Sequence, residues 1–255
     1  MKDQMVARLL GVNRRFYAEF ADHFAASRRV SDPALTAILP HLPSAARVLD
    51  VGCGNGRLAL LLDRERQGSS YVGVDAVPEL IEEARHRALA LRQTQAAFAV
   101  LDITVDGWSD QIPTTSEAAV SSNRFDCVVA LAVLHHVPSF RLRARVLGEL
   151  AGLVAPDGQL IISTWRFLGH ERMRRKIVDW SVVGIDPEWL EPGDYLLDWE
   201  RGGRGLRYCH HVDEAEVAQL ASASGLSVRE TFVAGGREGD LSLFAILDRG
   251  SLTES

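Results

Sequence analysis

No apolar run in this sequence approaches the roughly 20 residues that a membrane-spanning helix requires, so no transmembrane segment is expected. The stretch MKDQMVARLLGVNRRFYAEF has charges scattered through it and lacks an apolar core followed by a small-residue cleavage site. It is unlike a secretory signal, and a cytoplasmic chain is expected. Cysteine is scarce. Cys53, Cys127 and Cys209 are odd in number and far apart, which suits neither a disulfide framework nor a zinc knuckle, and they are read as free thiols. A surplus of positive charge is missing too: 28 Lys and Arg stand against 34 Asp and Glu, a net charge of −6. That excludes a surface built throughout to neutralise phosphates and leaves room only for a local basic face. Internal repeats and long linkers are absent, and the nearest approach to low complexity, residues 109–123, reads as a solvated loop.

What is present is enough apolar material, 47% of 255 residues, to bury a substantial core. Phe16, Phe20 and Phe24 recur at four-residue steps, which predicts a helix over 12–27, and Asp32 before Pro33 predicts the cap and first residue of a second, short helix. Apolar runs and helical patterns then alternate: RVLDV, a helix from Arg57, YVGVD, a helix opening at Pro78, FAVLD, FDCVVAL, a helix through RLRARVLGELAGLV, and QLIIST. Continuous apolar strands separated by helices imply a parallel sheet covered on both faces, a doubly wound α/β class. The last two strands, LSVRETFV and LSLFAIL, are joined by seven residues, too few for a crossover helix, so they must be antiparallel.

The chain is therefore read as one domain. It has N-terminal helices (1–44), a ligand-binding core (45–165), an insertion (166–212), a last helix with antiparallel strands (213–248) and a tail (249–255). The insertion is expected to be helical over about 167–181 and turn-rich through PEWLEPGDYLLDWERGGRG. Coming after a core strand, it should cover the carboxyl ends of the strands, where ligands bind in such sheets.

Within RVLDVGCGNGRLALLL, glycines at 52, 54 and 56 follow an acid-bearing strand and precede a helix, leaving bare backbone at the sheet's ligand-binding edge. The dinucleotide fingerprint needs a glycine at position 57, but that residue is Arg57, which disfavours a nicotinamide enzyme. The spacing Asp50-x-Gly52-x-Gly54-x-Gly56 resembles motif I of the class I S-adenosylmethionine-dependent methyltransferases, with Cys53 inside it. Asp75, followed by Ala76, ends the next strand, where a carboxylate can accept hydrogen bonds from both ribose hydroxyls. The resemblance further implies that Asp102 meets the adenine amino group, that Ile103 flanks the ring, and that Ala130 and Leu131 lie under the methionine part of S-adenosylmethionine.

His135 and His136 follow the fourth strand in LAVLHHVP and are candidates for a base or a pocket wall; with no Cys or acid cluster nearby at ligand spacing, no metal is expected. A narrower resemblance runs through NRRFYAEFADHFAASR, LAVLHHV, GDYLLDW and RYCHHVDEAEV, which together look like the Trm9 and ALKBH8 branch, enzymes that methylate a carboxymethyl group on the wobble uridine of tRNA. That branch implies Tyr17 and Arg28 at the cofactor and the run Arg207, Tyr208, Cys209, His210 at the substrate, with Cys209 replacing the branch's second Tyr. Physically, Arg207 is suited to fork onto a carboxylate, with Tyr208 or His210 adding a hydrogen bond and no general base needed. The branch also uses a small zinc-binding activator protein, whose contact surface is not readable here.

A run of Arg166, Arg172, Arg174, Arg175 and Lys176, with Arg201 and Arg204 after it, offers either a phosphate-binding face or a solvated helix face paired with Glu171 and Asp179. The expectation is a methyltransferase acting on tRNA. Two alternatives stay open: a methyltransferase of a small metabolite, which the net charge and Trp165, Trp180, Trp189 and Trp199 would suit, and a non-catalytic module that docks RNA or a protein.

Overall fold

The computed structural model describes residues 1–26, 32–113 and 124–249, the side chains of 22 and 24–26 excepted. Arg28 and most of the Ser/Thr-rich loop fall outside them.

A helix, α1 (Asp3–Ala26), kinked at Phe20, precedes a short α2 (Pro33–Thr36), whose N-cap Asp32 accepts a hydrogen bond from the amide of Ala34. The core follows as β1 (Arg47–Val51), α3 (Arg57–Glu65), β2 (Ser70–Asp75), α4 (Pro78–Ala88), β3 (Gln95–Val100), β4 (Phe125–Leu131), α5 (Phe140–Leu153) and β5 (Val154–Trp165). Helix α3 buries Leu58, Ala59, Leu61 and Leu62, the one-face spacing that fixes a helix on a sheet. After the insertion come α7 (Glu214–Ala223), β9 (Ser227–Ala234) and β10 (Ser242–Asp248). Asp213 caps α7 by accepting from Glu216 N, and Gly225, at φ 69°, follows its end.

The seven strands order as β3-β2-β1-β4-β5-β10-β9. Strands β1 to β5 are mutually parallel, and β10 runs antiparallel to both β5 and β9. This is the Rossmann-like, mostly parallel sheet with an antiparallel terminal pair that the sequence predicts. Its two faces carry separate apolar layers, one with α5 and α7, the other with α2, α3 and α4. The carboxyl ends of β1, β2 and β4, on either side of the switch between β1 and β4, form the edge where a ligand can sit.

The insertion departs from expectation. Instead of one helix over 167–181 it holds a 3-10 turn (Phe167–Gly169), a single turn α6 (Glu171–Arg174), the short strand β6 (Ile177–Val178) and another 3-10 turn (Trp180–Val183). The segment expected to be turn-rich supplies β7 (Asp194–Trp199) and β8 (Gly205–His210), which join β6 in a second, antiparallel sheet. One face of this cap sheet carries Leu196 and Tyr208 against Met5, Leu9 and Trp180. The other carries Leu197 and Cys209 against Trp165 and Phe167.

The cap is also tied to the core by ions. Arg143 of α5, only 1% exposed, reaches Glu191 at 3.1 Å, Glu216 at 2.8 Å and His210 Nε2 at 3.1 Å, while His210 Nδ1 meets Asp194 at 2.7 Å. Removing one member strands buried opposite charges, so Arg143→Ala is expected to cost about 3–5 kcal/mol. Chemical denaturation would measure it, and a loss below about 1 kcal/mol would show that the network is not buried as described.

Candidate active site

The glycine loop closes on β2 before it meets any ligand. Gly52 N and Cys53 N both donate to Val74 O, at 2.8 and 3.1 Å, and Gly54 N donates to Asp75 Oδ2 at 2.9 Å. Gly52 sits at φ 70°, and a Cβ there would overlap Val133 Cγ2. Gly54, at φ 55°, faces open space where a side chain would obstruct a ligand. Asp75 Oδ1 accepts from Val77 N at 3.0 Å, so each carboxylate oxygen organises one loop and keeps a lone pair to offer.

These loops wall a cavity of about 450 Å³, of the size that holds a small cofactor. Its floor is Gly52, Cys53, Gly54 and Asn55, its sides Asp75, Ala76, Asp102 and Ile103, and its far end Leu131, Ala132, Val133 and His136. Ala132 holds a left-handed backbone, φ 57°, and its amide is fixed by Ser163. Helix α1 roofs the cavity with Asn13, Arg14 and Tyr17. Asp102 lies two residues beyond β3 rather than ending the strand. Burial alone would raise its carboxyl, but the Thr104 hydroxyl and amide and the Arg14 guanidinium, 2.8 Å away, hold it below the usual range.

Three residues expected at the cofactor lie elsewhere. Ala130 is fully buried within the sheet, one residue short of the cavity wall. Gly56 begins α3 behind the wall, packed toward Ala84 and Phe98. Asp50 is 5% exposed inside the sheet, accepting from Tyr71 OH at 2.7 Å, and does not line the cavity. Arg28 lies outside the described residues. Conversely, Asn13, Arg14, Asn55, Arg57, Thr104 and Val133 line the cavity without having been singled out for it.

Burial, opposed by the Tyr71 hydrogen bond, pushes the Asp50 carboxyl from 3.8 up to about 7. With the folded value above the unfolded one, the folded chain holds the proton more tightly, so this group's contribution declines as pH rises from 3.8 to about 7. Asp50→Asn is expected to flatten that part of the profile: melting temperatures at pH 5 and pH 8 should converge relative to the parent. An undiminished gap would contradict it.

At the far end of the cavity His136 Nδ1 lies 3.0 Å from Tyr208 O, so it must carry the proton; Nε2 then accepts from Tyr17 OH, also at 3.0 Å. His136 is thus a hydrogen-bonded wall between cavity and cap. His135 is fully buried behind it, its ring 4.7 Å from that of Trp165, and does not line the cavity. His135, His136 and Cys209 do gather their ligand atoms within 4.8 Å of one another. Burial pushes the Cys209 thiol up to about 12, with the Arg207 charge opposing.

Beyond that wall stands Arg207. It is 3% exposed, and its Cζ lies 4.5 Å from the ring centre of Trp165 and 5.3 Å from those of Phe16 and Trp199. Neither Nε nor Nη1 has a hydrogen-bond partner among the described residues. Tyr208 and His210 do not join it, because successive residues of a strand face opposite ways, and both lie an odd number of positions from Arg207. The Tyr208 hydroxyl donates to Asp194 at 2.7 Å on the other face of the cap sheet, and His210 is held in the ion network there. The structure therefore does not bring Tyr208 or His210 together with Arg207.

A family model described as a methyltransferase domain matches residues 17–231. The chain belongs to that family. Its fold is that of S-adenosylmethionine-dependent methyltransferases. It superposes with a TM-score of 0.61 on the magnesium protoporphyrin IX methyltransferase of Synechocystis PCC 6803 with bound S-adenosylhomocysteine, at 20% identity over 94% of this chain and 99% of that one. Among curated relatives, the tRNA (carboxymethyluridine(34)-5-O)-methyltransferase of Arabidopsis thaliana is 26% identical over 70% of this chain. A ubiquinone biosynthesis O-methyltransferase of Azorhizobium caulinodans is 30% identical over 72% of it. The matches span 39% and 60% of those two relatives' own lengths. Among the described residues no helix is long and apolar enough to cross a membrane.

Proposed function

We propose that this methyltransferase esterifies a carboxylate, with the carboxymethyl group of a tRNA wobble uridine as its most specific candidate acceptor. The observation that carries this is Arg207. A guanidinium withdrawn from water costs several kcal/mol unless its N–H groups are satisfied. Here three aromatic rings stand around the guanidinium, and Nε and Nη1 of its fork have no acceptor among the described residues. A carboxylate matches that fork in charge and in bidentate geometry.

The cavity fits S-adenosylmethionine: glycines bare the backbone on one side, and the Asp75 and Asp102 carboxylates stand along the others. When bound, the cofactor supplies an electrophilic methyl group on a sulfonium. The chain's own tasks are to hold that group, align the acceptor for in-line attack and exclude water. Asp75 and Asp102 would hold the hydroxyls and the amino group, while α1 roofs the cavity. Arg207 would orient the acceptor from the far side of the Tyr17–His136 wall. A carboxylate is ionised at neutral pH, so no residue has to remove a proton, consistent with a His136 already engaged at both nitrogens.

The Arabidopsis relative favours the tRNA acceptor; the Azorhizobium relative and the net charge of −6 favour a small metabolite acid. Labelled methyl transfer to carboxymethyluridine-containing tRNA, run beside a small-molecule extract at rising salt, separates them. Label in the tRNA that weakens steeply with salt supports the RNA acceptor, and label confined to the extract refutes it.

A further inference from the structure

Asparagine within a helix ordinarily faces water, because its amide competes with the backbone for hydrogen bonds. Asn13 of α1 does the opposite. It is 6% exposed, its Oδ1 accepts from Tyr208 N at 2.8 Å, and its Nδ2 donates to Tyr208 O and to His136 O, each at 3.2 Å. Both amide hydrogens and one lone pair are thereby used.

The position of Tyr208 gives those bonds their meaning. Strand β8 is the outer strand of the cap sheet, paired with β7 on one side only. An unpaired strand edge leaves peptide groups to be satisfied by something else. Asn13 pairs with both the backbone N–H and the C=O of Tyr208, as a residue of a neighbouring strand would, and His136 Nδ1 adds a second donor to the same carbonyl. The residue locked in this way directly follows Arg207. Asn13 also lines the cofactor cavity, so one residue touches the cofactor chamber, the His136 turn and the strand bearing Arg207.

We infer that Asn13 is a positioning residue for the acceptor site, holding β8 in place against the cavity roof and so fixing where the Arg207 guanidinium points. The effect on methyl transfer rests on the carboxylate acceptor proposed above; the effect on β8 does not.

Two readouts test it: amide exchange in Asn13→Ala without any acceptor, and kcat/KM with carboxymethyluridine-containing tRNA for Asn13→Ala, Arg207→Ala and the double variant. The Tyr208 amide should exchange at least about tenfold faster in Asn13→Ala while amides of β5 and α7 keep their rates, the sign of a local release. Equal acceleration throughout the chain, or none at Tyr208, would overturn the assignment. In the assay, Asn13→Ala should lose about tenfold or more, and the double variant should be no worse than Arg207→Ala alone, because residues acting as a unit are not additive. Independent, multiplying losses would overturn it. If the parent transfers no methyl to this RNA, the proposed acceptor fails, and the exchange measurement still decides whether Asn13 holds β8.

Discussion

Arg207→Met is expected to abolish methyl transfer, by about a thousandfold or more, while binding S-adenosylhomocysteine within about threefold of the parent. The loss follows from removing a charge-assisted, bidentate contact made in a water-excluded box, for which about 4 kcal/mol is the appropriate scale. Cofactor affinity should survive because Arg207 does not line the cavity. Stability should move the other way. Burying a guanidinium whose Nε and Nη1 lack partners among the described residues is costly, and a methionine of similar length can fill the space between Phe16, Trp165 and Trp199 without that cost. The variant should therefore melt no lower than the parent, the pattern of a residue kept for function at the expense of stability. Arg207→Lys should recover little activity, since an ammonium restores the charge and not the fork. Full activity in Arg207→Met would refute the acceptor clamp.

Asp75→Ala is expected to weaken S-adenosylhomocysteine binding about a hundredfold or more, measured by calorimetry. Two effects combine. The Gly54 and Val77 amides lose the carboxylate that holds both loops, and the ligand loses a charged acceptor for its hydroxyls. Each hydrogen bond to a charged group contributes about 1.5–3 kcal/mol, so losing two accounts for the magnitude. Asp75→Asn should fare little better. One carboxamide terminus must donate, yet the amides of Gly54 and Val77 approach both positions as donors. Parent-like affinity in either variant would place the cofactor elsewhere.

The parallel core was legible because its strands are buried on both faces and read as continuous apolar runs, punctuated by Asp32-Pro33, Gly52 to Gly56, Pro78 and Gly225. The cap sheet was not. In β7, Leu196 faces α1 while its neighbour Leu197 faces Trp165 and Phe167, so both sides are apolar and no alternation marks a strand. Its flanks, PEWLEPG and ERGGRG, look like turns because they are.

The site shows the same division. Asp75, Asp102 and the glycines at 52 and 54, which the resemblance to motif I and its neighbouring strands pointed to, do line the cavity. Arg207, Tyr208 and His210 looked like one cluster only because adjacency in sequence is not adjacency on a strand, where neighbours point apart. Asp50 belongs to the motif yet points into the sheet toward Tyr71, a direction that spacing does not encode. Asn13 left no signal, as a polar residue in an amphipathic helix is ordinarily solvated; only its partner on β8, 195 residues away, distinguishes it.

The central claim, that the methyl group ends on a carboxylate, has a direct chemical readout. The protein is incubated with methyl-labelled S-adenosylmethionine and carboxymethyluridine-containing tRNA or an acid-rich small-molecule extract, and the labelled product is treated with mild base. A methyl ester hydrolyses and releases its label as volatile methanol, which is the expected result in whichever fraction is labelled. Label that withstands base, as a methyl on nitrogen, carbon or a phenolic oxygen does, would contradict the role assigned to Arg207.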